Sequence, residues 1–212
     1  MKRVLCYGDS NTWGYISGSD HLRYGEKERW TRLLGKYLGR NYEIIEEGLN
    51  SRTLVSTDIR PGREGREGIK WLKPCLDSQD KVDIVVLMLG TNELKNDYKK
   101  SAEEIADMLF SAVEIIKNYK SQIDKSTPEL IVSGIPKVND ECEYCKKEEK
   151  YSGCKIKAEK LNEIVKAECL KKGITYVDNM DLEVGADGIH IIKESHNVLA
   201  KKLCKVIKGM KI

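Results

Sequence analysis

The sequence carries a serine hydroxyl, an imidazole with a nearby carboxylate, and a side-chain amide at the ends of apolar runs, the functional groups that acyl transfer requires. Gly8-Asp9-Ser10-Asn11-Thr12-Trp13-Gly14 follows the run Arg3 to Tyr7 directly, so Ser10 stands just past a strand's carboxyl end, in a turn that glycine allows to be tight. Alone, Gly-Asp-Ser reads equally as a cap or turn, because Asp and Ser are enriched there. In Asp187-Gly188-Ile189-His190, an Asp three residues before a His can fold back to accept from Nδ1, leaving Nε2 to take the serine proton. The plain alternative is an Asp cap beside a surface His. Gly90-Thr91-Asn92-Glu93 follows Ile84 to Leu89, where the Asn92 amide can donate to a developing oxyanion or simply satisfy a turn.

Glu46-Glu47-Gly48-Leu49-Asn50-Ser51-Arg52-Thr53 ends a further apolar run, and a small residue here can offer its backbone N–H to the same oxyanion. The adjacent Glu46 and Glu47 do not read as a glycosidase pair, since neighbours on a strand point to opposite faces and cannot flank one bond. Trp13 and Tyr15, close to the nucleophile turn, are candidates to line an acyl or alcohol pocket, while Trp30 opens a helix and serves core packing equally well. His21 and His196 lack a comparable carboxylate neighbour and are expected at the surface or in loops.

These groups need a frame. Strands are predicted at Arg3 to Tyr7, Tyr42 to Glu46, Ile84 to Leu89, Leu130 to Ser133 and Thr175 to Val177. Helices are predicted at Trp30 to Leu38, around Ile69 to Cys75, and at Ala102 to Tyr119, Lys155 to Lys171 and Lys193 to Ile207, each with apolar residues three and four apart. This alternation implies a mostly parallel sheet with helices on both faces. The longest irregular stretches are Gly14 to Arg29, Arg52 to Gly68 and Pro136 to Cys154. No repeat or linker divides the chain, and 1–212 is expected to form one domain.

Composition excludes more than it identifies. With 37 Lys and Arg against 34 Asp and Glu, the net charge of +3 gives no reason to expect nucleic acid or an anionic membrane. No stretch approaches the roughly 18 apolar residues of a spanning helix, no signal peptide is read at the start, and a cytosolic location is expected. The seven cysteines then read as reduced thiols. Cys142, Cys145 and Cys154 offer three thiolates to a soft metal but no evident fourth ligand, so no metal site is read there. The lysine-rich end, 201–211, has Leu203, Val206, Ile207 and Met210 at helical spacing and reads as a packed helix rather than a membrane anchor.

In order along the chain, Gly8-Asp9-Ser10, Gly48-Leu49-Asn50-Ser51, Gly90-Thr91-Asn92 and Asp187-Gly188-Ile189-His190 resemble the blocks of the SGNH, or GDSL-like, hydrolase superfamily across nearly the whole length. The resemblance implies a three-layer α/β/α, flavodoxin-like fold with a five-stranded parallel sheet in the order 2-1-3-4-5. It implies a serine esterase needing no metal or organic cofactor. Ser10 is then the nucleophile, with its own N–H in the oxyanion hole, Asn92 the side-chain donor, His190 the base and then the acid, and Asp187 the orienter. Ser51 stands where the family's oxyanion glycine usually lies. The segments around Ser10, Arg29-Trp30, Glu46 to Leu49 and Met88 to Asn92 look most like the bacterial arylesterase and acyltransferase branch, some of whose members are oligomers with a hydrophobic channel. A homo-oligomer is among the states this allows. Pro136 to Gly153 is more polar here than in that branch, which sets a greasy channel in question. It favours a carbohydrate O-acetylesterase as one alternative; acyl transfer to alcohols and a non-catalytic binding module whose motif residues only maintain turns are two others.

Overall fold

The computed structural model describes residues 1–210; the predicted helical end at Lys211 lies outside them. Five strands, β1 (Lys2–Gly8), β2 (Tyr42–Gly48), β3 (Ile84–Met88), β4 (Glu129–Ser133) and β5 (Thr175–Val177), form one parallel sheet in the order β2-β1-β3-β4-β5. Seven α-helices accompany them: α1 (Ser10–Trp13), α2 (Trp30–Leu38), α3 (Gly68–Ser78), α4 (Ala102–Asn118), α5 (Glu143–Glu148), α6 (Cys154–Lys171) and α7 (Lys193–Gly209). The expected fold class and strand order are those observed.

The central strands β1, β3 and β4 are buried on both faces, so their residues alternate between two apolar layers rather than between core and water, whereas the edge strands β2 and β5 are mostly half-buried. Leu5, Tyr7, Val85, Leu87, Leu130 and Val132 face the layer shared with α3, α4 and α6, while Val4, Cys6, Ile84, Val86 and Ile131 face α2 and α7. The cap of α4 is a full capping box, with Ser101 and Glu104 satisfying each other's backbone N–H groups.

The structure departs from the expected elements at three places. α3 runs through Pro74 to Ser78 instead of ending near Cys75, because burying Leu76 outweighs the hydrogen bond that proline removes. α5 forms inside the stretch predicted as irregular; it is charged on nearly every face and anchored by the buried Cys145 alone. The short α1 is the turn that begins at Ser10, capped by the Asp9 side chain and closed by Gly14 at φ 90°. No helix among the described residues is long and apolar enough to cross a membrane.

Chain direction reverses its sheet order between β1 and β3, since β1 leads to β2 on one side and β3 returns on the other. Loops after the carboxyl ends of strands at such a switch point open onto one crevice. Every candidate site residue lies on one of those loops.

Candidate active site

Ser10 begins α1, directly after β1. Two contacts let that turn sit so close to the sheet. A Cβ on Gly48 would fall 2.2 Å from the Trp13 backbone nitrogen, so only glycine fits where β2 passes the turn. Arg52, stacked 4.1 Å over the Tyr7 ring, donates through Nη1 to the carbonyl of Gly8 at 2.9 Å and to that of Glu47. The ends of β1 and β2 are thereby bound to one guanidinium.

The Asp187–Ile191 turn carries His190. His190 Nε2 lies 2.8 Å from Ser10 Oγ, and Nδ1 lies 2.7 Å from Asp187 Oδ2. A carboxylate can only accept, so Nδ1 carries the proton and Nε2 is left to accept from the serine hydroxyl. Asp187 Oδ1 accepts from the N–H groups of Ile189 and His190 at 3.0 Å each, and Oδ2 also accepts from Gly18 N–H at 3.3 Å. Burial alone would raise this carboxyl, but the hydrogen bond and charge of His190, with the backbone donors, hold it well below the usual range. Gly188 takes φ 72°, and a side chain there would meet the Asn139 carbonyl at 2.1 Å.

Asn11 holds this turn against the turn that carries Ser10. Its Nδ2 donates to the Ile189 carbonyl at 3.3 Å, and its Oδ1 accepts from Ile191 N–H at 3.0 Å. Tyr15 stacks on His190 with ring centroids 4.4 Å apart.

Asn92 opens the 3₁₀ turn after β3, and the assignment of its amide is settled by its neighbours. Lys95 Nζ, which can only donate, lies 2.7 Å from Oδ1, so Nδ2 faces the other way, to the Arg52 carbonyl at 2.9 Å and the crevice. Lys95 is 7% exposed; burial and the nearby Arg60 bring its ammonium down to about 8. Glu93, raised by burial to about 7, accepts from the Leu54 N–H and ties the 3₁₀ turn to the loop after β2.

Ser51 stands in the left-handed region at φ 64°, a conformation that costs a side-chain-bearing residue of order 1 kcal/mol and explains why glycine suits the position. Its hydroxyl accepts from Arg60 Nη2 at 3.2 Å. Neither the Ser10 nor the Ser51 N–H is taken up by a turn or cap hydrogen bond.

Ser10, Tyr15, Ser51, Asn92, Asp187 and His190 all border one cavity of about 330 Å³, whereas Trp13 lies outside its wall, its ring beneath Arg23 at 5.1 Å. Trp30 is fully buried and donates from Nε1 to the Asn11 carbonyl at 3.0 Å. His21 is an exposed loop residue on the cavity rim. The expectation for His196 is overturned: it is completely buried on α7, where Nδ1 accepts from Trp30 N–H at 3.2 Å and so caps α2. Glu46 serves no bond cleavage; Arg29 grips it through two bonds of 2.7 and 2.9 Å, and Thr31 adds a third. Cys145 and Cys154 donate separately, to the carbonyls of Asp187 and Leu94. No group of three or more metal-ligating side chains occurs among the described residues.

Asn11, Arg52 and Lys95 were not singled out in the sequence. Asn11 had a signal, its place inside the nucleophile turn, and Lys95 had another, one 3₁₀ turn after Asn92. Arg60 and Arg63, which also reach the cavity, come from a long loop that carries no pattern.

A family model described as GDSL-like lipase/acylhydrolase matches residues 4–203. No curated protein sequence matches the chain. Among solved structures, an aryl esterase of M. smegmatis is 27% identical, with a TM-score of 0.90 and 99% of each chain covered. A carbohydrate acetylesterase from Sinorhizobium meliloti is 29% identical, with a TM-score of 0.91 and again 99% of each chain covered.

Proposed function

The chain belongs to the GDSL-like lipase/acylhydrolase family, and from that membership we propose that it cleaves small carboxylic esters through an acyl-enzyme formed on Ser10. The observation that carries this reading is the unbroken line from Asp187 through His190 to Ser10, at 2.7 and 2.8 Å. A wide separation of Ser10 from His190 Nε2 would have favoured a non-catalytic binding module, and at 2.8 Å that support is missing. Ser10 Oγ attacks the ester carbonyl as His190 Nε2 takes its proton. The oxyanion is held by the N–H groups of Ser10 and Ser51 and by Asn92 Nδ2, and Asp187 stabilises the imidazolium. His190 then protonates the departing alkoxide. A water molecule, activated by the same imidazole, releases the acid, and an alcohol in its place completes acyl transfer. Lys95 acts through Asn92 as a positioning residue.

Tyr15, stacked on His190, borders the space for substrate, and residues 1–212 act as one domain. The unpaired cysteines support a reducing compartment such as the cytosol. A carbohydrate O-acetylesterase is the second reading, favoured by the polar cavity wall that Arg60, Tyr144 and Lys150 supply.

A fluorophosphonate probe tests the mechanism: the wild type is expected to label and Ser10→Ala is not. Equal labelling of both, or none of the wild type, would overturn it. Acetate release from acetylated xylosides, without cleavage of longer acyl esters, selects the second reading.

A further inference from the structure

The whole chain is nearly balanced in charge, yet the cavity wall is not. Arg60, Arg63, Lys95 and Lys150 all border it, against Asp187 alone among the carboxylates. Two of the cations are matched. Arg60 Nε donates to Asp58 Oδ1 at 2.8 Å, and Lys150 Nζ lies 3.0 Å from Glu148. Asp187 is spent on its four donors. That leaves two cations with no carboxylate within salt-bridge distance among the described residues, Lys95 and Arg63. Arg63 reaches only His21 Nε2, at 3.4 Å. Lys95 is 93% buried; its Nζ meets Asn92 Oδ1 and the Tyr98 and Tyr151 rings, neutral groups that leave the ammonium's charge without a counter-ion at contact.

Resting on the serine-esterase reading above, we infer that the cavity selects an ester bearing a second, anionic group, a carboxylate or a phosphate, which Lys95 and Arg63 receive while the carbonyl sits at Ser10. The two cations connect to the reacting centre through different residues. Lys95 backs the oxyanion donor Asn92, and Arg63 meets His21, whose ring stands edge-on to Tyr15 beside His190. An anion on the acyl side and one on the alcohol side are therefore both within the site's compass, and the substrates must separate them. In this partly screened environment a single well-placed opposite charge is worth at least about tenfold in kcat/KM.

The test uses two matched pairs. Mono-4-nitrophenyl glutarate against 4-nitrophenyl valerate places the charge on the acyl side, and 4-acetoxybenzoate against its methyl ester places it on the alcohol side. The expected result is a preference of about tenfold or more for the anionic member of at least one pair, weakening as salt is raised. The same ratio is expected to fall about fivefold or more in Arg63→Gln and to invert in Arg63→Glu. Because the ratio is internally normalised, a general loss of activity in a variant does not mimic this result. Ratios near one in both pairs, in wild-type protein that labels with fluorophosphonate, overturn the inference and leave the esterase reading standing; failure to label overturns both.

Discussion

Asn92 can serve an oxyanion only if its amide is turned the right way, and the residue that turns it is Lys95. Removing the donor altogether, in Asn92→Ala, is expected to lower kcat by about 10²–10³. Lys95→Met keeps the amide but frees it to rotate, so kcat for a neutral ester is expected to fall about tenfold with KM nearly unchanged. If Lys95 acts through Asn92, the double variant is no slower than Asn92→Ala; a further tenfold loss in that background would assign Lys95 an independent role. The ammonium also predicts a pH signature. Its value in the fold, about 8, lies below the ordinary 10.5, so between those two points the unfolded chain holds the proton and the native protein does not. Stability therefore rises with pH across that window, by on the order of 3 kcal/mol in the limit of full burial. Denaturant midpoints of the wild type are expected to rise relative to Lys95→Met from pH 8 to 10.5, and parallel curves would show that Lys95 titrates normally.

Between elements, the packing of α7 on α2 carries a second titrating group. His196 is sealed between them, with Nδ1 accepting from Trp30 N–H and the Tyr24 ring 4.8 Å away. Burial, then the charge of His190, bring it from 6.5 to about 3, while Glu28 opposes them weakly. The unfolded chain takes up this proton first, so the native state loses stability as pH falls through that range, by up to about 1.4 kcal/mol per pH unit. His196→Gln keeps an acceptor for α2 and removes the titration; its stability is expected to decline less steeply than the wild type's from pH 6.5 to 3. Equal slopes would place the acid sensitivity elsewhere. This residue also marks where reading the sequence stops. The central strands were legible because a segment covered on both faces is apolar, as Ile84 to Met88 is throughout, while the half-buried edge strand β2 keeps Glu43, Glu46 and Glu47 around its apolar pair Ile44 and Ile45. Ser10 and Asn92 were legible because each closely follows such a run, and Asp187 and His190 because of their spacing of three. Whether a histidine on an amphipathic helix faces water or a partner depends on which stripe the neighbour covers, and His196 has no local signal for that. α5 was hidden because its stability comes from one buried thiol rather than from a periodic face.

Taken whole, the molecule has two apolar layers that share a single sheet. Leu5 and Tyr7 point into one and Val4 and Cys6 into the other, so neither layer can open without stripping one face of the same strands. That geometry predicts a single cooperative unit for residues 1–212 rather than two subdomains. Trp30 reports on the layer under α2 and α7, and Leu109 on α4 belongs to the opposite one. Leu109→Ala leaves a cavity in a buried helix face and is expected to cost about 2–5 kcal/mol, lowering Tm by roughly 5–15 °C at this size. In a unit of this kind the loss crosses the sheet. With Trp13 and Trp71 replaced by Phe so that Trp30 alone emits, the buried Trp30 emission and the far-UV circular dichroism of the Leu109→Ala variant then shift together by the same interval. A Trp30 transition that stays at the wild-type temperature while the helical signal moves would mean that the layers unfold separately, and that the catalytic loops, which draw on both, are held by two stabilities instead of one.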